Sequence, residues 1–407
     1  MIELSVMEDE NCPKFGASIK VIGIGGAGSN AVNSMVSSQE FQAVEFMVAN
    51  TDQQALHQSP TPCKIQLGAK ITKGLGAGSN PDLGRRAAEE DLETVSEKIR
   101  DTEILFLTAG LGGGTGTGAL PVIASAAKEL GILTVVVVTK PFLFEGKRRL
   151  KYAEETIEQL RSSVDTLIVV PNQRLLEISD PKISMLDAFA KSNEILKQAI
   201  KGISDIITKP GHINVDFADV RAIMKEAGMA VMGTGSARGA NRAEEAALAA
   251  INSPLIENSS ITGAKGILIN ITGNVDLGLH EISQATSLIG QNASEDANII
   301  LGSAIDTNLK DEIVITVIAT GFARSAQKID IKNRASDIFT KPALTDASQI
   351  TASTTDTDMT GAVTTGSVTT GATKEAEELK IDLNDFDTPT FMRKKAARDL
   401  SSENNIE

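Results

Sequence analysis

Residues 112–118 read Gly112-Gly113-Gly114-Thr115-Gly116-Thr117-Gly118, five glycines and two threonines in seven positions. An apolar run at 104–107 enters this stretch as a buried strand. Residues 119–130 leave it as a helix, with Pro121 in the first turn and Gly131 closing it. A glycine turn between a strand and a helix start is an anion site. Main-chain N–H groups point outward, no Cβ blocks approach, and the helix dipole favours negative charge. The threonines add hydroxyl donors. Five glycines so placed argue for a phosphate cradle over a merely flexible turn. The cradle has no lysine of its own: Ala119 follows Gly118, where a Walker loop carries Lys. Phosphate charge must then be met by main-chain dipoles, a metal ion and groups from elsewhere.

Two further turns offer the same chemistry. Gly23, Gly25 and Gly28 fit G-x-G-x-x-G after a strand at 18–24, and the turn runs through Gly26, Ala27, Ser29 and Asn30 into a helix ending near residue 37. A third, at 72–81, holds Gly74, Gly76, Ala77 and Gly78 and leads into one charged helix at 82–100, with Pro81 at its start. Three such turns in one domain can wrap a polyphosphate from several sides. The strand at 44–48 ends at Asn50, Thr51 and Asp52, and strand carboxyl ends are where open α/β sheets bind ligands. Beyond the strand at 133–138 lie Glu145, able to accept from ribose hydroxyls, and Arg149, a planar fork for a base or phosphate. The plainer reading of that pair is a solvated helix start.

Asn193 lies on a long helix at 185–208, on the stripe formed by Leu186, Phe189, Leu196, Ile200, Ile203 and Ile207. An amide on an apolar face needs partners, either backbone groups or the edge of a bound base. Asp216 and Asp219 are three apart at a helix start and share a face. Spacing alone reads them as an N-cap followed by a second acid in the first turn.

The elements that must position these residues follow from composition. The chain has 407 residues, 41% of them hydrophobic and only 3% aromatic, so its cores rest on Ile, Val, Leu and Ala, as in sheets covered on both faces. Its net charge of −14, with no basic stretch in the body, argues against nucleic acid as the main partner. Cys12 and Cys63 lack metal or redox spacing, and no apolar run approaches a membrane span of about 20 residues. A cytoplasmic protein without direct membrane insertion is expected. The fold class is α/β: a Rossmann-like parallel-sheet domain at 17–184, a central helix at 185–209 and a smaller α+β domain at 210–323. A loose arm at 1–16 precedes them. A disordered linker at 324–378 and a peptide at 379–398 follow, the latter with acids before Pro389, then Phe391, Met392 and a basic cluster. His57, His212 and His280 are isolated and read as structural.

The 112–118 loop resembles the signature loop of the tubulin/FtsZ GTPase family. The order of the other loops, the spacing Asn214-x-Asp216-x-x-Asp219 and the Pro389 peptide agree with it. The resemblance covers residues 18–323 and resumes at the tail. It implies a self-assembling GTPase of bacterial cell division, polymerising head to tail at mid-cell. Gly26, Ala27, Gly28, Ser29 and Asn30, with Gly112, Gly113, Gly114, Thr115, Gly116 and Thr117, would hold phosphates. Ala77 and Gly78 would lie by the γ-phosphate with Asp52 nearby, Glu145 would hold the ribose, and Arg149 and Asn193 the sugar and base end. Asn214, Asp216 and Asp219 would reach the nucleotide of the next subunit and place the attacking water. Magnesium would be held mainly through the phosphates, with no protein metal site. The tail peptide would bind membrane-tethering division proteins. Asn193 stands where the family often carries Asp, which implies weaker guanine selectivity. Ala27 and Ser29 replace glycines with small side chains. A nicotinamide-dependent dehydrogenase and a filament protein that binds nucleotide without turnover are the competing readings. The first leaves the 112–118 loop unexplained, and Asp216 and Asp219 discriminate the second.

Overall fold

The structure is a computed structural model. It describes residues 17–322, apart from positions 42, 178, 181, 210, 212, 257–260 and 308. The arm, the linker and the Pro389 peptide anticipated from the sequence lie outside the described residues, as does His212.

Six strands are parallel: β1 (Ile19–Ile24), β2 (Val44–Asn50), β3 (Cys63–Gln66), β4 (Ile104–Gly110), β5 (Leu133–Lys140) and β6 (Thr166–Pro171). Their order is β3-β2-β1-β4-β5-β6, so the winding direction reverses between β1 and β4. The sheet continues through β7 (Gly228–Arg238). Only the first three residues of β7 pair with β6, and Val231–Arg238 turn to an antiparallel partner, β10 (Glu312–Thr320). β10 pairs antiparallel with β8 (Gly266–Gly273), and β8 pairs parallel with β9 (Asn298–Ile305).

The helices are α1 (Gly25–Ser38), α2 (Gln53–Gln58), α3 (Ala69–Thr72), α4 (Pro81–Glu90), α5 (Leu92–Ile99), α6 (Thr115–Glu129), α7 (Lys147–Ser163), α8 (Asn172–Glu177), α9 (Met185–Thr208), α10 (Phe217–Met224), α11 (Arg242–Ile251) and α12 (Leu279–Gln291). Successive strand residues point to opposite faces. In β5, Leu133, Val135 and Val137 therefore enter the core shared with α1 and α9, while Val136 and Val138 enter the core under α5, α6 and α7. The first core runs on past Ile200 and Ile203 of α9 to Leu268 and Ile318, so both lobes pack on the central helix. Close approach there needs a small residue: a Cβ on Gly202 would stand 2.9 Å from the Thr316 methyl.

Three expectations are corrected. α6 starts at Thr115, not after Gly118, so Pro121 sits inside the helix rather than in its first turn. The charged helix at 82–100 is two helices, broken at Asp91, whose carboxylate accepts from Gly68 N at 2.6 Å. Of the α9 stripe, Leu196, Ile200 and Ile203 are buried, whereas Leu186 is 78% and Phe189 37% exposed.

Candidate functional site

Reversal of strand order opens a crevice at the carboxyl ends of β1 and β4, where doubly wound sheets bind ligands. The three glycine turns meet there. Gly25, at φ +72°, begins α1, and a Cβ on it would lie 2.8 Å from Gly116 N. Gly114 touches the 76–80 turn so closely that its Cβ would meet that of Ala77 at 2.8 Å. Gly112, at φ +98°, backs onto Arg149 O at 2.9 Å. These close approaches explain why glycine is needed for packing. Gly26, Gly113 and Gly78 differ: a Cβ on any of them meets nothing within 4 Å. Gly26 and Gly113 also lack positive φ, so neither packing nor conformation demands glycine there. The open space at these turns, here called the cup, lies at the N-termini of α1 and α6, whose leading N–H groups have no intrahelical acceptors.

The polar side chains of the cup are fixed from behind. Thr117 Oγ1 accepts from Gly112 N at 2.9 Å, which folds the loop on itself. Thr51 and Thr115 share a hydroxyl contact of 2.6 Å. Asp52 caps α2, accepting from Gln54 N and Ala55 N, and so does structural service at the cup's edge. Ser29 is buried, with an unpartnered Oγ, while Gly26, Ala27 and Asn30 are exposed. Glu145 accepts from Phe142 N at 2.9 Å and from Arg149 Nη1 at 2.6 Å, so the expected pair is one preorganised unit. Asn193 lies half-buried on α9, one turn beyond Phe189. Phe189 packs edge-on against Phe142, 5.3 Å between centroids, and Phe142 stacks on Phe144. The sequence reading missed this aromatic group, because it placed Phe189 in the core. Leu75, Leu143, Phe144 and Leu186 are large apolar side chains left exposed.

Asn214, Asp216 and Asp219 are elsewhere. Asp216 caps α10 by accepting from Asp219 N at 2.8 Å, as the spacing suggested, and all three side chains are exposed. Asn214 Oδ1 accepts from Gly211 N at 2.8 Å. α10 lies at the amino end of the parallel sheet. Thr166, the first residue of β6, donates to Met224 O, and Arg221 reaches Gly131 O beyond the far end of α6. The fifteen residues of α6, about 22 Å of helix, run between its N-terminus in the cup and that far end. One chain therefore does not bring its acid pair to its own glycine turns.

A helix-start cup without a P-loop lysine, joined through a long helix to a second lobe, defines a tubulin-type GTPase. Comparisons with known proteins agree. The Tubulin/FtsZ family GTPase domain matches residues 18–180, and the FtsZ family C-terminal domain matches residues 228–323. Cell division protein FtsZ of Pseudomonas putida is 54% identical over 310 residues, 76% of this chain and 78% of that one. The Coxiella burnetii protein of the same name is 52% identical over 326 residues, 80% and 83% of the two chains. An empty FtsZ dimer from M. jannaschii superposes with a TM-score of 0.72 at 43% identity, over 75% of this chain and 88% of that one. A GTPγS-bound CetZ2 protofilament from Haloferax volcanii shares the fold, with a TM-score of 0.63 at 21% identity over 76% and 94%. The chain belongs to the FtsZ family of cell-division GTPases, which removes the dehydrogenase alternative.

Proposed function

We propose that the chain polymerises head to tail and that each GTP is hydrolysed between two copies. The observation that carries this reading is the placement of the acid pair at the opposite end of the sheet from the cup. A second copy stacked in the same orientation brings Asp216, Asp219 and Asn214 over the open cup of the first. Within the cup, residues 26–30 and 112–117 hold the phosphates, chiefly through the leading N–H groups of α1 and α6, while Gly112 N–H stays on Thr117 Oγ1, and Ala77 and Gly78 close over the γ end. Glu145 accepts from the ribose hydroxyls. Arg149 and Asn193 take the sugar and base end, and Phe189 offers its exposed face to the base. Asn193, lacking a carboxylate's charge, gives a modest preference for guanine. Magnesium, held through the phosphates, supplies charge neutralisation. Asp216 and Asp219 orient the attacking water and accept its proton.

The polymer works in the cytoplasm at mid-cell, and the peptide around Pro389–Phe391 ties it to membrane-tethering division proteins. Asp219→Ala tests the centre of the proposal. GTP affinity, measured by calorimetry, is expected to stay within twofold. Phosphate release should fall by about 100-fold or more, the usual weight of a positioned acid or base. Unchanged release removes the shared site.

A further inference from the structure

The turn that follows α10 is gripped by side chains that hydrolysis, as described, does not use. Met224 O accepts from Thr166 Oγ1 at 2.5 Å, and Ile223 O accepts from Thr320 Oγ1 at 3.3 Å. Glu226 N donates to Asp165 Oδ1 at 3.3 Å, and Gly228 N donates to Asp165 O at 2.9 Å. The other carboxylate oxygen, Oδ2, takes Thr134 N of β5 at 2.9 Å. Asp165 is only 6% exposed. The turn is bent through Glu226 at φ 55° and Gly228 at φ 71°. A non-glycine residue holds that conformation only when its surroundings fix it. At the other end of α10, Ile213 N donates to Ser303 Oγ of β9 at 2.8 Å. The acid pair is thus slung between β9 of the second lobe and the amino end of β6 in the first. α10 has eight residues, about 12 Å of helix.

We infer that Asp165, together with Thr166, is a positioning residue for GTP hydrolysis. It fixes the C-terminal end of α10 and, through that short helix, sets where Asp216 and Asp219 meet the nucleotide of the adjoining copy. The inference rests on the shared-site reading above. Asp165 is remote from the cup of its own chain, since it precedes the first residue of β6 and the cup lies past the strands' carboxyl ends, about 20 Å away. Its buried carboxylate joins the sheet that holds one nucleotide to the helix that serves the next.

Asp165→Asn keeps the shape but turns one acceptor into a donor facing a main-chain N–H. The turn must shift, and a misplacement of 1 Å can cost about 100-fold in rate. Turnover per polymerised subunit is expected to fall ten- to hundredfold. GTP affinity should stay within twofold, and polymer yield on sedimentation should be unchanged. Thr166→Val should act in the same direction, and Thr166→Ser, which keeps the hydroxyl, should restore turnover. A double-mutant cycle decides the route of action. In an Asp219→Ala background Asp165→Asn should cost much less than it does in the wild type, because one of the two acids it places is already gone. Wild-type turnover in Asp165→Asn, a parallel loss of GTP affinity, or independent losses in the double variant would each overturn the inference. Should Asp165→Asn fail to fold, wild-type turnover in Thr166→Val overturns it equally. If Asp219→Ala alone leaves turnover intact, it is the shared site that has failed.

Discussion

Gly26→Ala separates what the fold requires from what the ligand requires. Gly26 lies in the first turn of α1, where no atom stands within 4 Å of an added Cβ. In a helix, Cα–Cβ bonds lean toward the N-terminus, so the new methyl points into the cup. Without ligand the substitution should stabilise the protein by about 0.4–1 kcal/mol, through the reduced freedom of the unfolded chain. With ligand it should do the reverse. A methyl at this position holds a phosphate off the N–H groups of the first turn. Charge-assisted hydrogen bonds contribute about 1.5–3 kcal/mol each, so the loss of one or two corresponds to at least about tenfold in Kd. The assay is paired: thermal unfolding without nucleotide, and titration with a fluorescent guanine nucleotide. A midpoint equal to or above wild type with weakened binding is expected. Wild-type affinity, or a midpoint several degrees lower, would refute the reasoning, since the open space would then not be the phosphate site.

Gly118→Ala should behave oppositely: its Cβ would stand 2.0 Å from Pro81 O. Overpacking of this kind costs about 1–3 kcal/mol, read as a lowered midpoint without ligand. If each centre needs two copies, as proposed, GTP turnover should rise more steeply than in proportion to protein concentration; strict proportionality in a phosphate-release series would contradict this. In the second lobe, Arg242 forms two hydrogen bonds to Glu281 and holds its carboxyl below the usual range, helped by Gly278 N. A pKa lowered by folding gives stability that is complete above the unfolded value of about 4.3 and lost as pH falls through the folded one. Glu281→Gln should therefore lower the midpoint at pH 7 and flatten its decline between about pH 5 and pH 3, as followed by circular dichroism.

Much of the architecture was legible because strand and helix periods are local. The unbroken β-branched run at 133–138 and the glycine turns after 24 and 110 placed β5 and the cup. Where the reading failed, the cause was tertiary. Phe189 fits an apolar stripe, yet its stretch of α9 extends past the core and packs on Phe142 instead. The break at Asp91 has no proline or glycine to announce it; it follows from a hydrogen bond to Gly68, a residue remote in sequence. The start of α6 was missed because glycines disfavour helix interiors. Here the first turn of the helix carries Gly116 and Gly118 because neighbouring backbone leaves no room for larger residues. Spacing identified Asp216 and Asp219 as a cap, and they are one. That the cap lies across the molecule from the glycine turns is a matter of chain path, which spacing alone does not encode.

That separation carries a counting rule. On the shared-site proposal, a row of n copies would have n cups but only n − 1 completed centres, since the outermost cup faces solvent. The two extremities of such a row are chemically unlike: one displays a nucleotide that nothing cleaves, the other a pair of carboxylates with nothing to act on. Fragmentation exposes one additional idle nucleotide for every cut. Mean length would then set the share of bound nucleotide that sits outside a completed centre.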